Sequence, residues 1–369
     1  MTMTVQADQI DAGEIERFAG TLFEAGLATV ELANVALGLR LGLYAALATG
    51  PCTPADLAGR AGIGARYARE WLEQQAAAGV VDVEDVSAGE EERRYLLSAE
   101  HGHVLLEPDS EAYMGALAEA AVAGATWLPL LKPAYRGGAG VPYAEFGVHD
   151  LQAAFSRPVF SSHLVQTWLP ALPDVHAKLV SGKARVAEIG CGEGFAAVLM
   201  ARSFPGVSVD GFDLDDASIA AARRAAVDAG VADRVRFEVA DAAALDLAAL
   251  DIRGVYDLVA CFEMLHDASD PVGVLAAMRA LRADGGTVLV VDERVAEQFT
   301  LPAEPIERLL YAFSTLHCLP VGLASQPSAA TGTVIRPGTV RRYGRQAGFT
   351  SVDELPVEHP QFRLYLLGG

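Results

Sequence analysis

The chain has 369 residues, 51% hydrophobic by composition, with a formal net charge of −20. That is too long for one ordinary core and too apolar for a disordered chain, so two domains are expected. The negative balance disfavours nucleic acid or an anionic membrane as a partner, because both would be repelled.

Met1–Asp8 shows no basic segment leading into an apolar one, so no secretory leader is expected. The weakly polar stretch 120–131 is shorter than the roughly 20 residues a membrane-spanning helix needs. Cys52, Cys191, Cys261 and Cys318 are scattered without a Cys-x-x-Cys pair, which argues against a metal or disulfide framework and fits a reducing cytoplasm.

Residues 12–49 read as helix, with apolar positions at Phe18, Leu22, Leu27, Val30, Leu32, Val35 and Leu37. Thr53-Pro54 opens a second helix as N-cap and first helical residue. A break at Gly62-Ile63-Gly64 precedes a third helix, 65–78, which Gly79 stops. Val80–Val86 and Arg94–Leu97 alternate like a hairpin across a polar turn. Helix–turn–helix and hairpin make a winged-helix pattern. Its hairpin carries six acids against two arginines, and its second helix sets Arg66 and Arg69 against Glu70 and Glu73. Phosphates would be repelled there, so a structural or dimerising role is preferred to DNA reading.

Residues 104–180 look mainly helical, interrupted by a Gly- and Pro-rich loop from Lys132 to Asp150 that connects domains and covers a site. From 184 the rhythm becomes strand–helix alternation, with strands near 184–189, 207–212, 233–239, 256–262 and 285–292. An insertion at 294–334, a helix at 338–347 and late strands near 350–355 and 361–367 complete it. The fold class is α/β: a Rossmann-like, mostly parallel seven-stranded sheet with helices on both faces, behind an N-terminal, mainly helical winged-helix-like domain. The expected division is 1–105 for dimerisation, 106–164 as linker and cover, and 165–369 for the sheet domain.

In such sheets ligands bind beyond the carboxyl ends of central strands. The first strand ends in Glu188 and a turn with Gly190, Cys191, Gly192 and Gly194; the second in Asp213 and Leu214, the third in Asp241 and Ala242, the fourth in Cys261 and Phe262. The dinucleotide fingerprint requires glycine at 195, where Phe195 stands, and no cation is present to cradle a pyrophosphate. Acids at successive strand ends suit a ribose, an adenine amine, an amino group and a sulfonium, which together describe S-adenosylmethionine. Asp213 and Asp241 also have helix-capping readings, and Cys191 is expected to pack.

On Glu188-Ile189-Gly190-Cys191-Gly192-Glu193-Gly194, Gly211-Phe212-Asp213, Asp241-Ala242 and Tyr256-Asp257-Leu258-Val259, the sequence resembles the class I S-adenosylmethionine-dependent methyltransferases over about residues 165–369. With the N-terminal module it is similar to small-molecule O-methyltransferases that dimerise through a winged-helix-like domain, and to an actinobacterial two-domain group. The resemblance implies cofactor contacts from Glu188, Gly190, Cys191, Gly192, Asp213, Leu214, Asp241, Ala242, Cys261 and Phe262. It implies a general base at His266, next to Asp267, with Asp292 at the end of the fifth strand orienting it. Tyr311, Ser314 and His317 of the insertion are expected against the acceptor; each could equally be packing. No metal site is expected.

The expected reaction is therefore methyl transfer to a small molecule, with a hydroxyl as acceptor and a cytoplasmic homodimer as the working form. The alternatives are N-, S- or C-methylation by alignment without a base, and a regulator that binds S-adenosylmethionine.

Overall fold

The computed structural model describes residues 10–245 and 252–369. The first nine residues, which carry the leader argument, and most of the weak helix expected after Asp241 lie outside the described residues. The chain divides into two compact units, Met1–Ala125 and Thr126–Gly369.

In the first unit the long N-terminal pattern forms the helix Ala12–Arg40, capped by Asp11, whose side chain accepts from the amides of Gly13 and Glu14. It stops at Gly42, whose φ of 67° is left-handed, and a short helix, Leu43–Leu47, follows. Thr53 and Asp56 close a capping box on Pro54–Ala61, and Ala65–Ala77 ends before Gly79. The hairpin is shorter than its alternation predicts: β1 (Asp82–Val83) pairs antiparallel with β2 (Tyr95–Leu96), and Cys52 adds a bridge to Tyr95. Leu43, Tyr44, Leu47, Leu57, Trp71 and Leu72 fill the core. Gly38 is required there, since a Cβ would lie 2.4 Å from the Trp71 ring. The wing and the helix before it pair their charges: Arg69 meets Glu90 and Glu91, Arg93 meets Glu73, and Arg94 meets Glu84.

The second unit is built on a seven-stranded sheet of order β5-β4-β3-β6-β7-β9-β8. The strands are β3 (Arg185–Ile189), β4 (Ser208–Asp213), β5 (Val235–Val239), β6 (Tyr256–Phe262), β7 (Arg282–Glu293), β8 (Ser351–Glu354) and β9 (Phe362–Gly368). β3 to β7 run parallel, while β9 is antiparallel to both β7 and β8. Alternate residues serve opposite layers. Val186, Leu258, Ala260, Leu289, Val291 and Leu364 face a layer that includes Phe195–Ser203 and Asp216–Asp228. Ala187, Ile189, Val259, Cys261, Val288 and Val290 face Pro271–Leu281 and Pro337–Gln346. This period of two, apolar on both faces, is what a sheet covered by helices on each side requires.

The expected loop at 132–150 is mostly helical. Leu128–Gly137 is a helix that contains Pro133, Tyr143–Phe146 is a short turn of helix, and His149–Val159 is a third. Burial of Leu131 and Ala134 outweighs the one amide Pro133 lacks, and Gly138 in left-handed conformation ends the first helix. Val141 N donates to the Pro320 carbonyl, and a Cβ on Gly140 would lie 2.1 Å from Ala324 N, so this segment lies directly on the insertion. The insertion helix Pro305–Phe313 passes into a π-helical stretch, Ser314–Cys318, and a last turn, Leu319–Gly322. A second π-helical stretch, Phe160–Trp168, continues His149–Val159.

Candidate active site

The chain order reverses between β3 and β6, and the loops that leave these two strands and β4 form the crevice typical of such sheets. Gly190, Gly192 and Gly194 all have positive φ, between 50° and 77°. A Cβ on Gly190 would strike Met264 and one on Gly194 would strike Phe237, whereas Gly192 faces open space. Two of the glycines therefore pack the turn and the third leaves backbone bare for a ligand.

Asp213 ties this turn to β4. Its Oδ2 accepts from Gly192 N at 2.8 Å and its Oδ1 from Asp215 N at 2.9 Å. Burial raises its pKa against the pull of those amides, and each oxygen keeps a lone pair. Asp215 caps Asp216–Asp228 through Ser218 N, and its Oδ2 lies 2.9 Å from His149 Nε2. Asp241 caps the turn Ala242–Ala244 through Ala243 N and is otherwise exposed, as is Leu214; Ala242 is buried. The side chains of Cys191, Cys261 and Phe262 are absorbed by the core, with Phe262 packed edge-on to Phe160, so what they offer a ligand is backbone.

Glu188 is the informative member. Its carboxylate is buried, burial pushes its pKa up to about 8, and Oε2 has no hydrogen-bond partner. A buried acceptor left open costs free energy unless a ligand completes it. The ammonium of a methionine moiety would do so.

The three residues expected at the transfer site converge. His266 is buried, its Nδ1 lies 2.7 Å from Asp292 Oδ1, and its backbone amide donates to Oδ2 at 3.3 Å. Asp292, fully buried, also accepts from Glu293 N. Asp267 Oδ1 is 3.4 Å from His266 Nε2 and has no hydrogen-bond partner. Burial opposes the imidazolium, but Asp292 and then Asp267 outweigh it and hold His266 well above the usual histidine range.

The predicted acceptor residues separate. The Tyr311 hydroxyl accepts from Arg336, which pairs with the buried Glu307, so Tyr311 belongs to a network that ties the insertion to the residue just beyond it. Ser314 is buried, with Oγ accepting from Thr333 N. His317 is buried beside Cys318, with Trp127, Phe146 and Tyr143 around it.

The sequence assigns no role to Glu263, Glu293 or Tyr143. Glu263 directly follows β6 with a φ of 53°, a strained conformation for a non-glycine residue of the kind found at functional sites. Ser156 Oγ donates to its Oε2, and burial pushes its pKa up to about 7 against the pull of His266. Burial and Glu263 hold Glu293 well above the carboxylate range. Burial, then Asp213, Asp215 and Asp267, raise the Tyr143 phenol, whose ring packs edge-on against both His149 and His317. The acids were visible at their strand ends; Tyr143 carried no signal beyond its glycine-rich surroundings.

Residues 181–318 match the family described as "Methyltransferase domain", and residues 28–106 match "Rv2258c-like winged HTH domain". The ubiquinone biosynthesis O-methyltransferase of Bordetella bronchiseptica is 33% identical over 194 residues, covering 52% of this chain and 72% of that protein. The chain belongs to the S-adenosylmethionine-dependent methyltransferases. Solved methyltransferases share its fold. An O-methyltransferase family protein from Burkholderia thailandensis aligns with a TM-score of 0.67 at 19% identity, covering 95% of this chain and 97% of that one. PigF with S-adenosylhomocysteine aligns with a TM-score of 0.69 at 19% identity, covering 98% and 100%.

The residues of this methyltransferase fit its cofactor: the unpaired Glu188 Oε2 suits the ammonium, bare Gly192 admits the chain, and Asp213 retains lone pairs for ribose hydroxyls.

Proposed function

We propose that the enzyme methylates a hydroxyl of a small molecule, with His266 as general base and Asp292 as the residue that orients it. The supporting observation is the buried 2.7 Å contact between His266 Nδ1 and Asp292, which leaves Nε2 as the group facing Asp267. S-adenosylmethionine supplies an electrophilic methyl group and a thioether leaving group. The protein aligns the acceptor oxygen, excludes water and takes the hydroxyl proton at Nε2. The O-methyltransferase name of the Bordetella relative supports an oxygen acceptor.

The charge of His266 decides when this works. With its pKa held above the usual range, the imidazole carries a proton near neutrality and turnover rises as pH removes it. In wild type the kcat profile should climb through a limb above the ordinary histidine value of about 6.5. Asp292→Asn removes the main raising charge and should move that limb to lower pH, while His266→Ala should lower kcat about 100-fold or more. A flat profile in both wild type and His266→Ala would favour the second reading, in which the imidazolium aligns the acceptor and removes no proton; the raised pKa itself favours it.

We also infer that two copies associate through Ala12–Arg40. Phe18, Leu22, Phe23 and Val30 are each more than half exposed on this helix. By length and composition the helix is also apolar enough to cross a membrane. Glu16, Arg17, Glu24 and Glu31 along it favour a second copy over lipid. The four cysteines are all free, which fits a cytoplasmic enzyme.

A further inference from the structure

Asp267 Oδ1 is buried and has no hydrogen-bond partner, although His266 Nε2 lies 3.4 Å from it. That separation is long for a hydrogen bond between these groups. It matches a shared ion instead. Zinc holds nitrogen and oxygen ligands at about 2.0–2.1 Å in a tetrahedron, which sets two such atoms about 3.4 Å apart. Cys318 Sγ completes a set of three, for the ligand atoms of His266, Asp267 and Cys318 all lie within 4.8 Å of one another. A sulfur ligand at about 2.3 Å stands about 3.6 Å from its companions, so a shift of roughly an ångström brings all three onto one ion.

The surroundings suit such a centre. Asp292 Oδ1 holds His266 Nδ1 at 2.7 Å and leaves Nε2 as the ligand, the carboxylate–histidine arrangement that orients metal-bound imidazoles. Asp292 is itself fixed by the backbone amides of His266 and Glu293. His317 Nδ1 lies 3.7 Å from Cys318 Sγ, and a metal-bound thiolate keeps that contact by accepting a ring N–H. The Asp267 side chain is 16% exposed, which leaves an ion a way in, while His266 and Cys318 are buried. No ligand spacing is written in the chain, because His266 and Asp267 follow β6 and Cys318 arrives from the π-helical stretch of the insertion.

We propose that His266, Asp267 and Cys318 form a binding site for a thiophilic divalent cation, zinc being the ion that this nitrogen, oxygen and sulfur set favours. Binding releases the thiol proton and engages the Nε2 lone pair. Three protein ligands leave a fourth position open, as in reactive rather than structural zinc centres. An occupied site withholds Nε2 from the acceptor's proton, so zinc inhibits methyl transfer. That consequence rests on the reading of His266 as general base; the site does not. Magnesium and calcium, which take oxygen ligands, should not compete with zinc there.

The test is titration of the metal-free protein with zinc against a chromophoric chelator, and with cobalt(II) followed by absorption. Wild type should bind zinc at this site in excess magnesium, and its cobalt form should show a thiolate-to-metal charge-transfer band. Asp292→Asn should weaken zinc about ten- to hundredfold, as loss of an orienting partner does. Cys318→Ala should lose the band and weaken zinc at least as much, whereas Cys261→Ala should keep the band. Cys318→Ser is the second variant should the first not fold. Failure of wild type to bind zinc at micromolar free metal, or a band that survives loss of Cys318, overturns the proposal. Failure of the base reading has a different signature. Zinc then binds as described, yet turnover is unchanged with an acceptor found by screening hydroxylated compounds for label from S-adenosylmethionine.

Discussion

At the end of β3, burial keeps the Glu188 carboxyl protonated to about pH 8, although no hydrogen-bond partner reaches its Oε2. Its folded pKa exceeds the ordinary glutamate value of about 4.3, so the folded state binds the extra proton. The stability this contributes is complete below that ordinary value and is lost as pH rises through the folded one. Glu188→Gln should therefore flatten the fall in melting temperature of the ligand-free protein between about pH 5 and 8, and raise it at the upper end. It should also weaken S-adenosylhomocysteine about tenfold or more, since a charge-assisted hydrogen bond is lost. Unchanged melting and unchanged affinity would remove Glu188 from the cofactor site. The acid and its place at a strand end are readable in sequence. Its missing partner is not, because that depends on which amides and side chains the surrounding loops leave out of reach.

Among the elements, the insertion shows where periodicity stops being informative. Within the stretch that reads as a plain insertion, Pro305–Phe313 is a regular helix, and the widened turn at Ser314–Cys318 that continues it has no period of its own to announce it. Lys132–Asp150 shows the converse: prolines and glycines imply a loop, yet burial of a few apolar positions makes most of it helical. The insertion is pinned by Arg336, which pairs with Glu307 at 3.0 Å, while Glu307 also accepts from Ala296 N. Both side chains are largely buried, so removing one partner leaves a charge uncompensated. Arg336→Met should cost about 3 kcal/mol in denaturant unfolding and raise KM for the acceptor more than for S-adenosylmethionine. Equal effects on both KM values would show that the insertion does not serve the acceptor alone.

For the whole molecule, the exposed apolar side chains of Ala12–Arg40 predict a homodimer. Phe18→Glu with Phe23→Glu should halve the mass found by light scattering; a monomeric wild type would overturn this, and sedimentation of wild type with anionic lipid vesicles would favour a membrane instead. By itself the sequence determined the sheet, the glycine turn and the methyl donor, because strand and helix periods, glycine conformations and strand-end acids are local properties. The family resemblance carried by those motifs also marked His266 and Asp292. Only the tertiary structure decided that Asp292 lies 2.7 Å from the imidazole, that Tyr143 and His317 pack against each other, and that the Tyr311 hydroxyl accepts from Arg336. The physical reason is that burial and pairing across many residues of chain set both the charge state and the unsatisfied atoms of the site. Those quantities exist only once the layers have packed.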